Sequence, residues 1–270
     1  MNFRMASLAS GCEGNAVFVR CGRTALLIDA GLSYKALCDQ LKQLDEDPEG
    51  LTALLLTHEH SDHTLGLPVI LKRTGLPVYT TGGTFEGLSR QKLFYRIPKE
   101  NFHLFSAGEK LRIGDVEITS LPVSHDSLEP VAYRGDAEGI HFAVVTDLGC
   151  LTDELIASLK GLNALLLEAN HNRQMLETGP YPYPLKMRID GAGGHLSNEA
   201  AAELLLKICN PRLRQVILGH LSRTNNYPLL ALETVRRILN EGPESARQIK
   251  LSAAPPQGLS ELIEFSAENV

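Results

Sequence analysis

Five apolar segments of this 270-residue chain run directly into a histidine or a carboxylate. "LTALLLT" (51–57) meets His58, His60, Asp62 and His63, and "VEITSLPVS" meets His125. "IHFAVVT" meets Asp147, "LNALLLEAN" carries Glu168 and reaches His171, and "LRQVILG" stops at His220. Continuous apolar runs of this length suit strands buried on both faces. Strands that repeatedly end in the same chemistry would bring it to one rim, the concave place where sites are usually built.

The rest of the chain supplies what such strands need. Period-two or apolar segments predict further strands at 3–9, 15–21, 24–31, 76–81, 109–114, 130–135, 248–254 and 259–265. Helical spacing predicts helices at 33–44 behind Ser33, at about 65–74, at 151–160, at 196–209 capped by Ser197 or Asn198, and at 229–241. His141 falls inside a strand and His103 in a loop, and both are expected to be structural. Two rounds of strands followed by helices predict an α/β fold. Two mixed sheets pack face to face with helices outside, a four-layer αββα sandwich forming a single domain over 1–270.

Within "THEHSDH", His58 and His60 stand at i and i+2 on an extended exit, so they point the same way and can chelate one metal. Asp62 and His63 lie past the turn, where they can hold a second. His125 and His220 are the partners such a half-site requires, and Asp147 is the candidate bridging carboxylate. Imidazole and carboxylate in these numbers suit a divalent ion, Zn²⁺ first and Mn²⁺ or Fe²⁺ next. Two such ions about 3.5–4 Å apart share a bridging hydroxide. Glu59 and Ser61 should point away and matter less.

Bulk properties remove some alternatives. Net charge is −6, so the whole molecule is not an electrostatic glove for nucleic acid, although a local patch remains open. Five scattered cysteines (Cys12, Cys21, Cys38, Cys150, Cys209), with no CxxC pair, argue against a disulfide framework and for a reducing cytoplasm. No apolar run approaches the ~18–20 residues that span a bilayer. The opening "MNFRMASLASGCEGN" reads as the start of the mature fold.

"THEHSDH" closely resembles the HxHxDH motif of the metallo-β-lactamase superfamily, and His125, Asp147 in "VTDLG" and His220 in "VILGHLS" follow in that superfamily's order. The resemblance covers almost the whole chain. It implies His58, His60 and His125 on one metal, Asp62, His63 and His220 on the other, and Asp147 between them. Within the superfamily the chain looks most like the YycJ/WalJ group, whose members resemble ribonuclease Z. "SLASGCEGN", "EANHNRQMLETGPYPYPLKMRIDGAGGHLSNEAA" and "LGHLSRTNNYP" carry that likeness. Cys12 stands where the group has Ser, and Asn172 where it usually has Asp. "GHLSNEAA" is similar to a ribonuclease Z stretch whose non-ligand histidine assists catalysis, which implies that role for His195. A long tRNA-holding arm and a β-CASP insertion are both missing, so pre-tRNA processing is not implied.

The resemblance therefore implies a dinuclear-metal phosphodiesterase, a DNA or RNA exonuclease with 5′–3′ polarity suggested by the family alone. A metal-bridging hydroxide would attack phosphorus, oriented by Asp62, with His195 protonating or hydrogen-bonding the leaving oxygen. Asn15, His171, Arg173, Lys186, Arg188 and Arg223 are the candidate substrate contacts. The basic-aromatic stretch 89–99 is either a second contact for a single strand or a solvated, packed surface. The competing reading is a small-molecule hydrolase of the same superfamily, acting on a cyclic phosphodiester, lactone or thioester.

Overall fold

The computed structural model describes residues 2–266; Met1 and residues 267–270, which belong to the expected 1–270 domain, lie outside the described residues. The chain opens with β1 (Asn2–Ala9), β2 (Ala16–Cys21) and β3 (Thr24–Ile28), then α1 (Tyr34–Gln43), β4 (Ala53–Leu55), α2 (Ser61–Thr64) and α3 (Leu67–Thr74). β5 (Val78–Thr81), α4 (Gly82–Ser89) and β6 (Phe102–Phe105) complete the first half. The second half runs β7 (Lys110–Ile113), β8 (Val116–Pro122), β9 (Val131–Ala137), β10 (Ile140–Val145), α5 (Asp153–Ser158) and β11 (Ala164–Glu168). It continues with α6 (Arg173–Thr178), α7 (Tyr183–Ile189), α8 (Asn198–Ile208), β12 (Gln215–Gly219), α9 (Pro228–Asn240), α10 (Glu244–Arg247), β13 (Lys250–Ala253) and β14 (Ile263–Ser266).

These strands build two seven-stranded sheets, ordered β14-β1-β2-β3-β4-β5-β6 and β13-β12-β11-β10-β9-β8-β7. Both are mixed. In the first, β14, β1, β2 and β3 pair antiparallel and β3 to β6 parallel. In the second, β7 to β10 pair antiparallel and β10 to β13 parallel.

Strand alternation separates the layers. Phe3 and Met5 of β1, Val17 and Val19 of β2, and Phe142 and Val144 of β10 join the cluster between the sheets. Their neighbours turn outward: Ala6, Leu8 and Phe18 meet Leu37 and Leu41 of α1 and Ile70 of α3, while Ala143 and Val145 meet Leu204 and Leu205 of α8 and Val235 of α9. The result is the expected αββα sandwich.

Several helices begin where short polar side chains reach back to free N–H groups. Ser33 accepts from Ala36 N, Thr152 from Leu155 N, and Ser197, not Asn198, from Ala200 N. The helix expected near 65–74 is α3, preceded by the short α2; Gly66 between them packs so closely that a Cβ there would meet Leu32 O at 1.9 Å. Strands 24–31, 51–57 and 116–125 are shorter than the apolar pattern suggests: β3 ends at Ile28, β4 covers only Ala53–Leu55, and β8 ends at Pro122. His103 lies in β6, stacked on Tyr79 at 4.9 Å between ring centroids, not in a loop. His141 is in β10 as expected and pairs with Asp136. Among the described residues, no helix is long and apolar enough to cross a membrane.

Candidate metal centre

The parallel strands of both sheets end at one edge, and their exits supply the polar side chains. Three exit residues hold left-handed backbone: Asp29 after β3 (φ 63°), Asp147 after β10 (φ 58°) and His220 after β12 (φ 54°). Non-glycine residues rarely adopt this region, so surrounding contacts must hold them there. His220 N donates to Ser10 Oγ at 2.7 Å, and Asp29 Oδ1 accepts from Thr57 N at 2.9 Å.

"THEHSDH" leaves β4 as extended chain through His58 and turns at His60 into α2, which carries Asp62 and His63. The turn is stitched to the β3 exit by Ala30 N→His63 O at 2.8 Å, and to the first loop by Asn15 N→Asp62 O at 2.7 Å. Gly31 permits this approach, since a Cβ there would meet Asp62 O at 1.7 Å. Ring centroids then fall 4.7 Å apart for His58 and His60, 4.1 Å for His58 and His63, and 5.0 Å for His58 and His125.

Four groups of donors converge, each with its atoms within 4.8 Å of one another. They are His58, His60 and His125; Asp62, His63 and His220; His58, His63 and Asp147; and Asp147, Glu168, His195 and His220. Asp147 links the groups: Oδ2 lies 3.2 Å from His63 Nε2, and Oδ1 lies 3.4 Å from His220 Nδ1 and 3.8 Å from His125 Nε2.

A metal site should leave ligand atoms buried and unspent, and three here are so. His58 Nε2, His220 Nε2 and Asp147 Oδ2 are buried without a hydrogen-bond partner. His220 Nε2 is 3.6 Å from Asp62 Oδ2, out of hydrogen-bond range. The opposite ring nitrogens are engaged: His63 Nδ1 with Asp29 at 2.8 Å, His220 Nδ1 with Glu168 at 2.7 Å, and His125 Nδ1 with Gly194 O at 3.1 Å. Holding one nitrogen so that the other faces inward is the usual support of a metal-ligating histidine. The residues fit a divalent ion.

Electrostatics agree with that donor set. Burial, helped by the neighbouring His63 and opposed by Asp147, pushes the His58 pKa well below its ordinary value, so its ring stays neutral. Burial also opposes charge on His63, but Asp29, Asp147 and Asp62 outweigh it and raise its pKa well above the ordinary value. For His220, burial is likewise overcome by Asp147, Asp62 and Glu168. Asp62 is held far below the carboxylate range because His63 and His220 outweigh its burial.

Two carboxylates that sequence reasoning left without a role support this arrangement. Glu168 is fully buried, and Oε2 accepts from the backbone N–H groups of Leu148 and Leu196, each at 3.1 Å. Its Oε1 takes His195 Nδ1 at 2.8 Å and His220 Nδ1 at 2.7 Å. Burial acts to raise its pKa, but His195 and His220 lower it to about 2. Asp29 was hidden inside an apolar segment; only its place at a strand exit signalled it. Glu59 points away from the donors, as alternation predicts, but it accepts from Ser127 Oγ at 2.6 Å and Leu128 N at 3.1 Å, anchoring the loop that follows His125.

The remaining candidates are scattered around the rim. Asn15 is buried, with Nδ2 3.1 Å from Asp62 Oδ2 and 3.0 Å from His63 Nε2. His171 is fully buried, 3.6 Å from Asp190. Arg188 pairs with Asp126 at 2.5 Å and Arg223 with Glu13, while Arg173 and Lys186 line a neighbouring cavity. In the 89–99 stretch, Tyr95 is exposed and Lys99 lies over the Phe94 ring at 4.7 Å.

Comparisons with known proteins agree with this architecture. Residues 24–221 match the family model of the beta-lactamase superfamily domain. The chain is 36% identical to exodeoxyribonuclease WalJ of Streptococcus pneumoniae over 235 residues, 87% of each chain. It is 37% identical to exodeoxyribonuclease YycJ of Bacillus anthracis over 241 residues, 89% of this chain and 90% of the relative. Among solved structures it superposes on the metallo-beta-lactamase fold protein YhfI of Bacillus subtilis with a TM-score of 0.72 at 16% identity, covering 98% of this chain and all of the other. Zn(2+)-bound PqqB of Methylobacterium extorquens gives 0.69 at 19% identity, covering 97% and 99%. The chain belongs to the metallo-β-lactamase superfamily and, within it, to the YycJ/WalJ group.

Proposed function

We propose that this chain is a metal-dependent exodeoxyribonuclease of the cytoplasm, acting as one catalytic domain. The observation that carries the reading is its 36–37% identity, over 87–89% of its length, to relatives bearing that name. Polarity from 5′ to 3′ rests on the family resemblance alone. On this reading His58, His60 and His125 would hold one ion and Asp62, His63 and His220 a second, with Asp147 available to either. Nitrogen and carboxylate donors in this mixture favour Zn²⁺, with Mn²⁺ or Fe²⁺ as substitutes. When bound, such a pair supplies an acidified water and positive charge for the phosphoryl oxygens.

The chain's own residues do the rest. Asp62, kept ionised by His63 and His220, accepts a hydrogen bond from the attacking water and orients it. His195 has Nδ1 tied to Glu168, which leaves Nε2 to donate a proton to the leaving oxygen. Burial opposes its charged form, but Glu168 raises its pKa above the ordinary value, as suits an acid at neutral pH.

One observation favours the small-molecule alternative. Arg188 and Arg223 already face carboxylates, so the rim offers less free positive charge than the sequence suggests. Purified protein assayed on labelled single- and double-stranded DNA and RNA, beside bis-p-nitrophenyl phosphate, separates the two. The proposal expects DNA cleavage that a chelator abolishes and Zn²⁺ or Mn²⁺ restores. Hydrolysis of the small ester alone would overturn it.

A further inference from the structure

Beside the metal centre, α6 and α7 enclose a cavity of about 350 Å³, within the size range of small-ligand pockets. Leu176, Tyr183 and Met187 give it an apolar surface, and Arg173 and Lys186 give it positive charge. Among the described residues neither cation is in an ion pair; Lys186 Nζ donates instead to the main-chain carbonyl of Glu177 at 2.7 Å. Tyr183 and Met187 are 73% and 55% exposed, a large apolar outlay for two neighbouring turns of a short helix.

A buried polar group faces the same place. His171 is fully buried, neither ring nitrogen has a hydrogen-bond partner, and Nε2 lies 3.6 Å from Asp190, which lines the cavity. Unspent buried nitrogens of this kind call for a ligand or a structural reason.

The helix that lines the cavity is also tied to the candidate catalytic apparatus. Residues 183, 186 and 187 share one face of α7 by their spacing, and Asp190 caps its C-terminal end. From a different position on the helix, Arg188 reaches Asp126, the neighbour of His125. The chain then turns through residues 190–194, and His195 N donates to Ile189 O at 2.9 Å. A phosphodiester held at the metals therefore has, one short segment away, a slot that offers apolar surface and two cations, with Glu177 and Asp190 on the same lining.

We propose that this cavity seats the nucleobase beside the scissile phosphate of a single DNA strand, an assignment that rests on the exodeoxyribonuclease reading. The base stacks on Tyr183 and packs on Met187, the adjoining phosphate meets Arg173 and Lys186, and Asp190 with His171 behind it offers hydrogen bonds to the base edge.

The test uses Zn²⁺-loaded protein and cleavage-resistant phosphorothioate strands with 2-aminopurine at either end. Wild type and Tyr183→Phe should quench the fluorophore at one end, and Tyr183→Ala should not. On cleavable strands Tyr183→Ala should lose about tenfold in kcat/KM, mostly through KM, the scale of removing one base–aromatic stack. Its cleavage of a strand made abasic beside the scissile phosphate should stay within about twofold of wild type, since that strand offers no ring to stack. Quenching without any DNA cleavage would sink the nuclease reading, and with it the placement beside a scissile phosphate, leaving the cavity as a base-binding site alone. Cleavage with no quenching, or with Tyr183→Ala unchanged, would sink the cavity assignment and keep the nuclease reading.

Discussion

Replacing Asp29 by Asn tests whether the support beneath the donors sets the metal affinity. Asp29 Oδ1 accepts from Thr57 N at 2.9 Å and Oδ2 lies 2.8 Å from His63 Nδ1, with the side chain only 4% exposed. Asn has the same shape and tolerates the left-handed backbone that this position requires. Its carbonyl will keep the Thr57 N–H, because leaving that buried donor unpaired costs about 1–3 kcal/mol. The amide NH₂ then faces His63 Nδ1, and two donors cannot share that contact. His63 must accept at Nδ1 and carry its hydrogen on Nε2, the nitrogen that would otherwise offer a lone pair to the metal.

Loss of a supporting partner of this kind typically costs about 10–100-fold in metal affinity. At 1.4 kcal/mol per decade this is about 1.4–2.8 kcal/mol. Competition against a chromophoric zinc chelator should resolve the effect as one weakened ion of two. The ion assigned to Asp62, His63 and His220 should be released early, and the one assigned to His58, His60 and His125 should be unchanged. Two ions bound as tightly as in wild type would refute the tautomer argument. Equal weakening of both, together with a lower Tm of the metal-free protein, would refute its locality.

Four further outcomes are expected. Glu168→Gln should lower turnover on DNA about 10–100-fold; because Glu168 raises the His195 pKa, the alkaline limb of the pH–rate profile should move to lower pH, and an unmoved limb would end that role. His195→Ala should cost about 10²–10⁴ in kcat with metal content unchanged by elemental analysis, whereas metal loss would make it a ligand. Loading metal at pH 7 in weak buffer should release about two protons per chain, because the raised pKa values of His63 and His220 leave both protonated beforehand; no release would contradict those directions. Asp136 sits among Arg134 and His141, which outweigh its burial and lower its pKa. Its stabilisation is therefore complete above the ordinary Asp range and lost as pH falls through the lowered value. Acid unfolding of Asp136→Asn should show a shallower pH dependence than wild type.

Strand exits were legible because a buried strand has so few reasons to end in His or Asp. His58 and His60 follow from alternation, and His125, Asp147 and His220 from the demand that a half-site be completed. Asp29 and Glu168 were not assigned, since a carboxylate takes its role from partners far along the chain. Glu168 depends on His195 and His220, and Asp29 on Thr57 and His63. The short helices α4, α6 and α7 escaped for a different reason. With little more than two turns at most, their apolar residues establish no period, and tertiary contact decides their conformation. The same gap hid the cavity that α6 and α7 enclose.

The site's position at the seam of the two sheets has a mechanical consequence. Under the proposed assignment, His58, His60, Asp62 and His63 come from the first sheet, and His125, Asp147 and His220 from the second. Each ion would then act as a cross-link, closing a long loop of chain as a disulfide does, but reversibly. Free metal concentration would set how firmly the two halves are clasped, so stability and catalytic competence would rise and fall together.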